Sequence, residues 1–163
     1  MDDLLCQLEE DLMAKGGRWI ADFNESERGY RLEDVTFDAC IRGDTRIREF
    51  GVFSRAMDAF LLPRYFVACY VLMTESVTTS LLKKCLHLIE KKSDTDQVTW
   101  SWLILITQRN PSRDVVESVE ALKDKKLGLL LYDSSSGSLV TSGNQLGERM
   151  RSCVGFWSKR SHR

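Results

Sequence analysis

Apolar residues recur in the first fifteen positions at 4, 5, 8, 12 and 13, the spacing of one helical face. Acids come early, Lys15 comes late and Gly16-Gly17 closes the segment, so a helix is predicted over residues 2–15. Residues 19–23 suit a short strand and 24–29 a polar turn. From 30 to 41 the pattern changes to alternation. Val35, Phe37, Ala39 and Ile41 fall on one side, and Asp34, Thr36, Asp38 and Cys40 on the other, the period of a half-buried strand. Arg42-Gly43-Asp44-Thr45 then reads as a hairpin turn centred on Gly-Asp, and residues 47–53 as its returning strand.

The second half alternates long apolar runs with helical patterns. A helix over 54–65, capped by Ser54 and stopped at Pro63, leads into a strand at 66–73. A helix over 76–91 places Leu81, Leu82, Cys85, Leu88 and Ile89 on one side, and a charged linker follows at 91–97. Strands are predicted at 100–107, 127–132 and 138–141, with helices at 113–124 and 145–157. The Ser134-Ser135-Ser136-Gly137 run is a turn between two of these strands. Near-continuous apolar strands alternating with helices call for parallel pairing with both faces covered, whereas the first half is antiparallel. The expected fold is one three-layer α/β/α domain over residues 1–157 with a central mixed sheet, followed by a flexible basic tail at 158–163.

Composition narrows the function. The chain has 163 residues, 43% of them hydrophobic, and 23 Lys+Arg against 24 Asp+Glu give a net charge of -1. That balance excludes a generally basic nucleic-acid coat but not a local patch. No apolar run approaches the roughly 20 residues of a membrane span, and the acidic Met1-Asp2-Asp3 start is unlike a signal peptide. The five cysteines form no CxxC pair and sit in apolar stretches, which reads as buried thiols in a cytoplasmic protein. With only His87 and His162, neither a Cys/His zinc site nor a Ser-His-Asp hydrolase is expected. No GxGxxG or GxxxxGK[ST] run points to a nucleotide cofactor.

One constellation carries chemistry. With the turn centred on Gly43-Asp44, Asp38 faces Glu49, Thr36 faces Gly51 and Cys40 faces Ile47. Carboxylates directly opposed across strands cost a few tenths to about 1 kcal/mol, so a pair needs a divalent cation, a neighbouring arginine such as Arg28, Arg31 or Arg55, or water around it. A helix, a three-strand meander, a helix and a strand, with Asp38 on the second strand and Glu49 on the third, resembles the PD-(D/E)XK nuclease superfamily. The likeness covers residues 1–75, and the strand around Gly128 is also similar to a late strand of nuclease-like proteins. It implies a restriction-endonuclease-like fold in which Asp38 and Glu49 hold Mg²⁺ and a lysine two positions after the glutamate activates water. That position holds Gly51, and the helix predicted next offers only Arg55 and Arg64, which bind phosphate but do not replace lysine in proton transfer.

The expected function is therefore a non-catalytic nuclease-like domain that binds nucleic acid or a protein partner. The alternatives are a Mg²⁺-dependent endonuclease acting through Asp38 and Glu49, and a regulatory or assembly module with no nucleic-acid role. Arg149, Arg151, Lys159 and Arg160 form the candidate phosphate-contacting patch. That basic end and the acidic first helix also suit pairing between two copies in a homodimer. Trp100 and Trp102 project to one side of their strand and suit burial or a subunit contact.

Overall fold

The computed structural model describes residues 2–46 and 64–157. Six strands form one mixed sheet in chain order: β1 (Asp22–Leu32), β2 (Val35–Arg46), β3 (Arg64–Thr74), β4 (Trp100–Thr107), β5 (Leu127–Asp133) and β6 (Leu139–Thr141). The pairs β1–β2, β2–β3 and β5–β6 are antiparallel, and β3–β4 and β4–β5 are parallel. Four α-helices accompany them among the described residues: α1 (Asp2–Ala14), α2 (Thr79–Asp96), α3 (Arg113–Glu120) and α4 (Gln145–Cys153). The fold is α/β with a mixed sheet, antiparallel first and parallel later, as the apolar pattern predicts. No helix among the described residues is long and apolar enough to cross a membrane.

The first hairpin turns elsewhere than expected. Residues 16–19 form a 3-10 turn instead of opening a strand, and 24–29 lie inside β1. The chain reverses at Glu33-Asp34, where Glu33 takes a positive φ of 52°, and β2 runs on through Gly43 and Asp44 to Arg46. Gly43 is needed there for space: a Cβ would lie 2.3 Å from the Asp22 carbonyl oxygen and 2.7 Å from the Phe23 Cα. A glycine inside a strand commonly marks such a backbone approach, and the β1–β2 register shifts beside it between Phe23 and Glu25. Residues 42–45 are therefore not the expected hairpin turn. The strand predicted at 47–53 and the body of the helix predicted at 54–65 fall outside the described residues; Arg64 already belongs to β3.

Two buried clusters grow on the sheet. One joins Leu5, Leu8 and Leu12 of α1 and Met150 of α4 to Ile41, Cys69, Val71, Trp102, Ile104, Leu130 and Tyr132. The other joins Leu82, Cys85, Leu88 and Ile89 of α2 and Val115 and Val119 of α3 to Phe37, Tyr70, Leu103, Leu105, Leu129 and Leu131. Burying such a side chain contributes about 1.5–3 kcal/mol. The helices start on side-chain caps: the Thr78 hydroxyl accepts from Leu81 N, and Asn144 Oδ1 accepts from Gly147 N. Helix α2 extends through the expected linker, with Lys92 and Asp96 paired one turn apart at 3.0 Å, and it stops at Gln97, whose φ is 55°. Helices α3 and α4 end earlier than predicted, at Glu120 and Cys153.

Candidate nucleic-acid interface

Asp38 is half-buried on the second strand, and its Oδ2 accepts the Met73 backbone N–H at 2.7 Å. The ladder explains the contact. The β1–β2 pairs pass from Arg28–Ala39 to Tyr30–Phe37 and skip Gly29–Asp38, and the β2–β3 ladder begins at Ala39–Val71. Side-chain alternation also reverses here, since Ala39 and Ile41 enter the α1 cluster while Phe37 and Val35 enter the α2 cluster. Gly29, opposite, has a φ of +65° that suits glycine. The carboxylate thus supplies an acceptor for Met73 N–H where the β2–β3 ladder has ended.

Glu49, the other half of the expected metal pair, lies outside the described residues, as do Gly51 and Arg55. The third described strand, β3, reads Arg-Tyr-Phe-Val-Ala-Cys-Tyr-Val-Leu-Met-Thr and carries no carboxylate and no lysine. Among the described residues no group of three or more His, Cys, Asp or Glu side chains is arranged to hold a metal ion. Asp38 as placed does not fit a Mg²⁺ site of described residues. The register instead opposes Asp22 and Asp44 directly. Two further buried carboxylates serve the fold. Asp11 accepts Phe156 N at 2.8 Å. Burial raises the pKa of Asp133, but hydrogen bonds from Ser135 and Ser136 more than offset it and leave the group below the usual carboxylate range.

The cysteines divide. Cys40, Cys69 and Cys85 are buried, whereas Cys6 is exposed and Cys153 half-buried. Burial pushes the Cys40 and Cys85 thiols up to about 11 and raises Cys69 further, which leaves none of the three as a ready thiolate. Cys6 instead accepts from the Arg28 guanidinium at 3.1 Å, with Glu9 on the same arginine.

A cleft of about 1320 Å³ opens where β4 and β5 begin. Its walls include Arg18 and Trp19 of the 3-10 turn, Asp22 and Asp44 at the β1 and β2 ends, Trp100 and Lys123. Lys125 and Arg149 also line it. Trp19 is 78% exposed, a rare state for so large an apolar side chain here. Arg149 Nη2 donates to the Trp19 carbonyl at 3.0 Å and ties α4 to the 3-10 turn. The side chains of Arg18, Lys123 and Lys125 are exposed and make no ion pair or hydrogen bond among the described residues. Asp124 between the lysines is engaged, its Oδ1 accepting from Lys126 N and Leu127 N at 2.6 and 3.0 Å.

Local bonds hold this basic loop. Asn144 Nδ2 donates to the Asp124 and Leu127 carbonyls at 2.8 and 2.7 Å while Oδ1 caps α4. Behind the loop, Trp102 is buried, and its Nε1 donates to the Leu146 carbonyl at 3.0 Å. Trp100 stays half-buried on the cleft wall with Tyr65 5.4 Å away, ring centre to ring centre.

Of the predicted phosphate-contacting residues, Arg149 lines the cleft. Arg151 is exposed on the same helix, 4.0 Å from Glu148, and is not among the lining residues. Lys159 and Arg160 lie outside the described residues. Sequence reasoning missed Arg18, Trp19, Lys123 and Lys125. The run Lys123-Asp124-Lys125-Lys126 was a visible basic cluster, but nothing in its order joins it to Arg18 across a hundred residues. No family model matches the chain, and no curated protein or solved structure matches it either.

Proposed function

We propose that this chain is a non-catalytic binding domain that takes nucleic acid in the cleft between the 3-10 turn, the α3–β5 loop and α4. One observation carries the reading: Arg18, Lys123 and Lys125, exposed and without an ion pair or hydrogen bond among the described residues, line one cleft with an exposed tryptophan. Cations neutralise phosphates, and an exposed ring offers a face to a base. Asp22 and Asp44 lie at the β1 and β2 ends, while the cations come from the 3-10 turn, the loop and α4.

We further read the architecture as three-layer α/β/α and restriction-endonuclease-like. Support comes from alternate residues of β4 and β5 entering different clusters, with α1 and α4 in one and α2 and α3 in the other. Of the helix, meander, helix and strand over residues 1–75 on which the likeness rests, α1, the second strand with Asp38 and the last strand β3 are described. The third strand at 47–53 and the body of the helix at 54–65 fall outside the described residues. Gly51 at the position of the family's lysine favours binding over Mg²⁺-dependent hydrolysis. Free thiols suit a reducing, cytoplasmic compartment.

The test is salt dependence. A labelled single-stranded oligonucleotide should bind the full chain with an affinity that falls with salt. The double variant Lys123→Glu/Lys125→Glu should flatten the slope of log K against log salt by about 1 to 2. An unchanged slope removes the cleft as the phosphate site. No binding of single-stranded or duplex nucleic acid at low salt would leave the protein-partner module in its place.

A further inference from the structure

Resting on that reading, we propose that Trp19 makes the site selective for unpaired strands, and that Arg149 is the positioning residue that holds Trp19 for stacking. Trp19 sits in a four-residue 3-10 turn between α1 and β1 with most of its surface in water. Its neighbour Ile20 is buried, and the Ile20 and Ala21 amides both donate to the Gly17 carbonyl at 2.8 and 3.1 Å. Gly17 itself is packed on α1, where a Cβ would lie 2.2 Å from the Leu12 carbonyl oxygen. The backbone under Trp19 is thus fixed on both sides, and Arg149 fastens its carbonyl from α4. An apolar ring exposed on so anchored a backbone, lining one cleft with cations that make no ion pair among the described residues, has the parts of a stacking platform.

A duplex presents phosphates but keeps its base faces stacked on one another, so the cations see both ligands while the ring sees only unpaired bases. Selectivity for unpaired strands therefore depends on Trp19, and the salt slope on Arg18, Lys123 and Lys125. Arg149 has two expected effects, since it also lines the cleft. Replacing it with lysine keeps the cation but loses the planar fork that reaches the carbonyl.

The experiment compares a labelled thymidine oligonucleotide with a duplex of matched length, on the full chain and on Trp19→Ala, Trp19→Phe and Arg149→Lys. Trp19→Ala should weaken single-strand binding about 5- to 150-fold with the duplex affinity and the salt slope unchanged. Trp19→Phe should recover part of the loss. Single strand should quench wild-type tryptophan emission more than that of Trp19→Phe, and Arg149→Lys should reduce the quench at unchanged salt slope. Truncating so exposed a side chain opens no cavity, and the phenylalanine variant guards against a folding defect. Equal wild-type affinity for single strand and duplex overturns the inference and leaves the cleft reading standing. So does a Trp19→Ala effect that is absent or equal on both ligands. Absence of binding to either ligand overturns both.

Discussion

The amide of Met73 loses its strand partner where the β2–β3 ladder ends, and the Asp38 carboxylate meets it at 2.7 Å. The residue that the nuclease likeness would give to a metal is thus occupied by the backbone of the next strand. Removing the acceptor leaves a half-buried N–H unsatisfied, so Asp38→Ala should cost about 1–2 kcal/mol in urea unfolding. Asp38→Asn keeps an acceptor oxygen and should cost less than half of that. Both differences should persist in millimolar Mg²⁺. A Mg²⁺-dependent gain in stability that vanishes in Asp38→Ala would restore the metal reading, because a ligand of the folded state alone raises stability. In the sequence Asp38 was legible as a strand residue with its side chain on the polar side. Its partner was not, because the break in pairing at Gly29 and Asp38, where the strand turns over, depends on which strand lies beside it.

At the scale of elements, long apolar runs were legible and close approaches of backbone were not. The strand at 100–107 was predicted with the bounds it has, and the strands at 127–132 and 66–73 within two residues. The hairpin was misplaced because Gly-Asp has the composition of a turn, while Gly43 serves close contact with β1. Gly128 shows the same logic in the core. A Cβ there would lie 2.6 Å from Trp102 Cδ1 and 2.9 Å from Leu146 Cβ. Gly128→Ala should therefore push on the indole, lengthen its bond to the Leu146 carbonyl and destabilise by about 1–3 kcal/mol. Near-UV circular dichroism from the tryptophans should change with it. A variant of wild-type stability and spectrum would mean that α4 shifts freely on the sheet.

For the molecule as a whole, the sheet makes the cohesion. Strand β3 pairs antiparallel with β2 and parallel with β4, so it joins the hairpin half to the parallel half. Lys91 of α2 reaches Glu33 at 2.7 Å, and Lys84 pairs with Asp34, which fastens α2 to the hairpin turn. Exposed pairs of this kind contribute little each, and the shared core dominates. Unfolding should be a single transition in which far-UV circular dichroism and tryptophan emission coincide. An earlier loss of strand signal with tryptophan emission intact would make β1–β2 a separate unit.

The sequence alone determined the class of the fold and the buried strands of the parallel half. These follow from periodicity, which acts over a few residues. Tertiary structure decided where β2 turns, what Asp38 bonds to, and that Trp19, Arg18, Lys123, Lys125 and Arg149 share one cleft. The residues of that cleft are separated by up to 131 positions (149 − 18). Only the register and packing of the sheet bring them together, and register depends on pairings that no local pattern encodes.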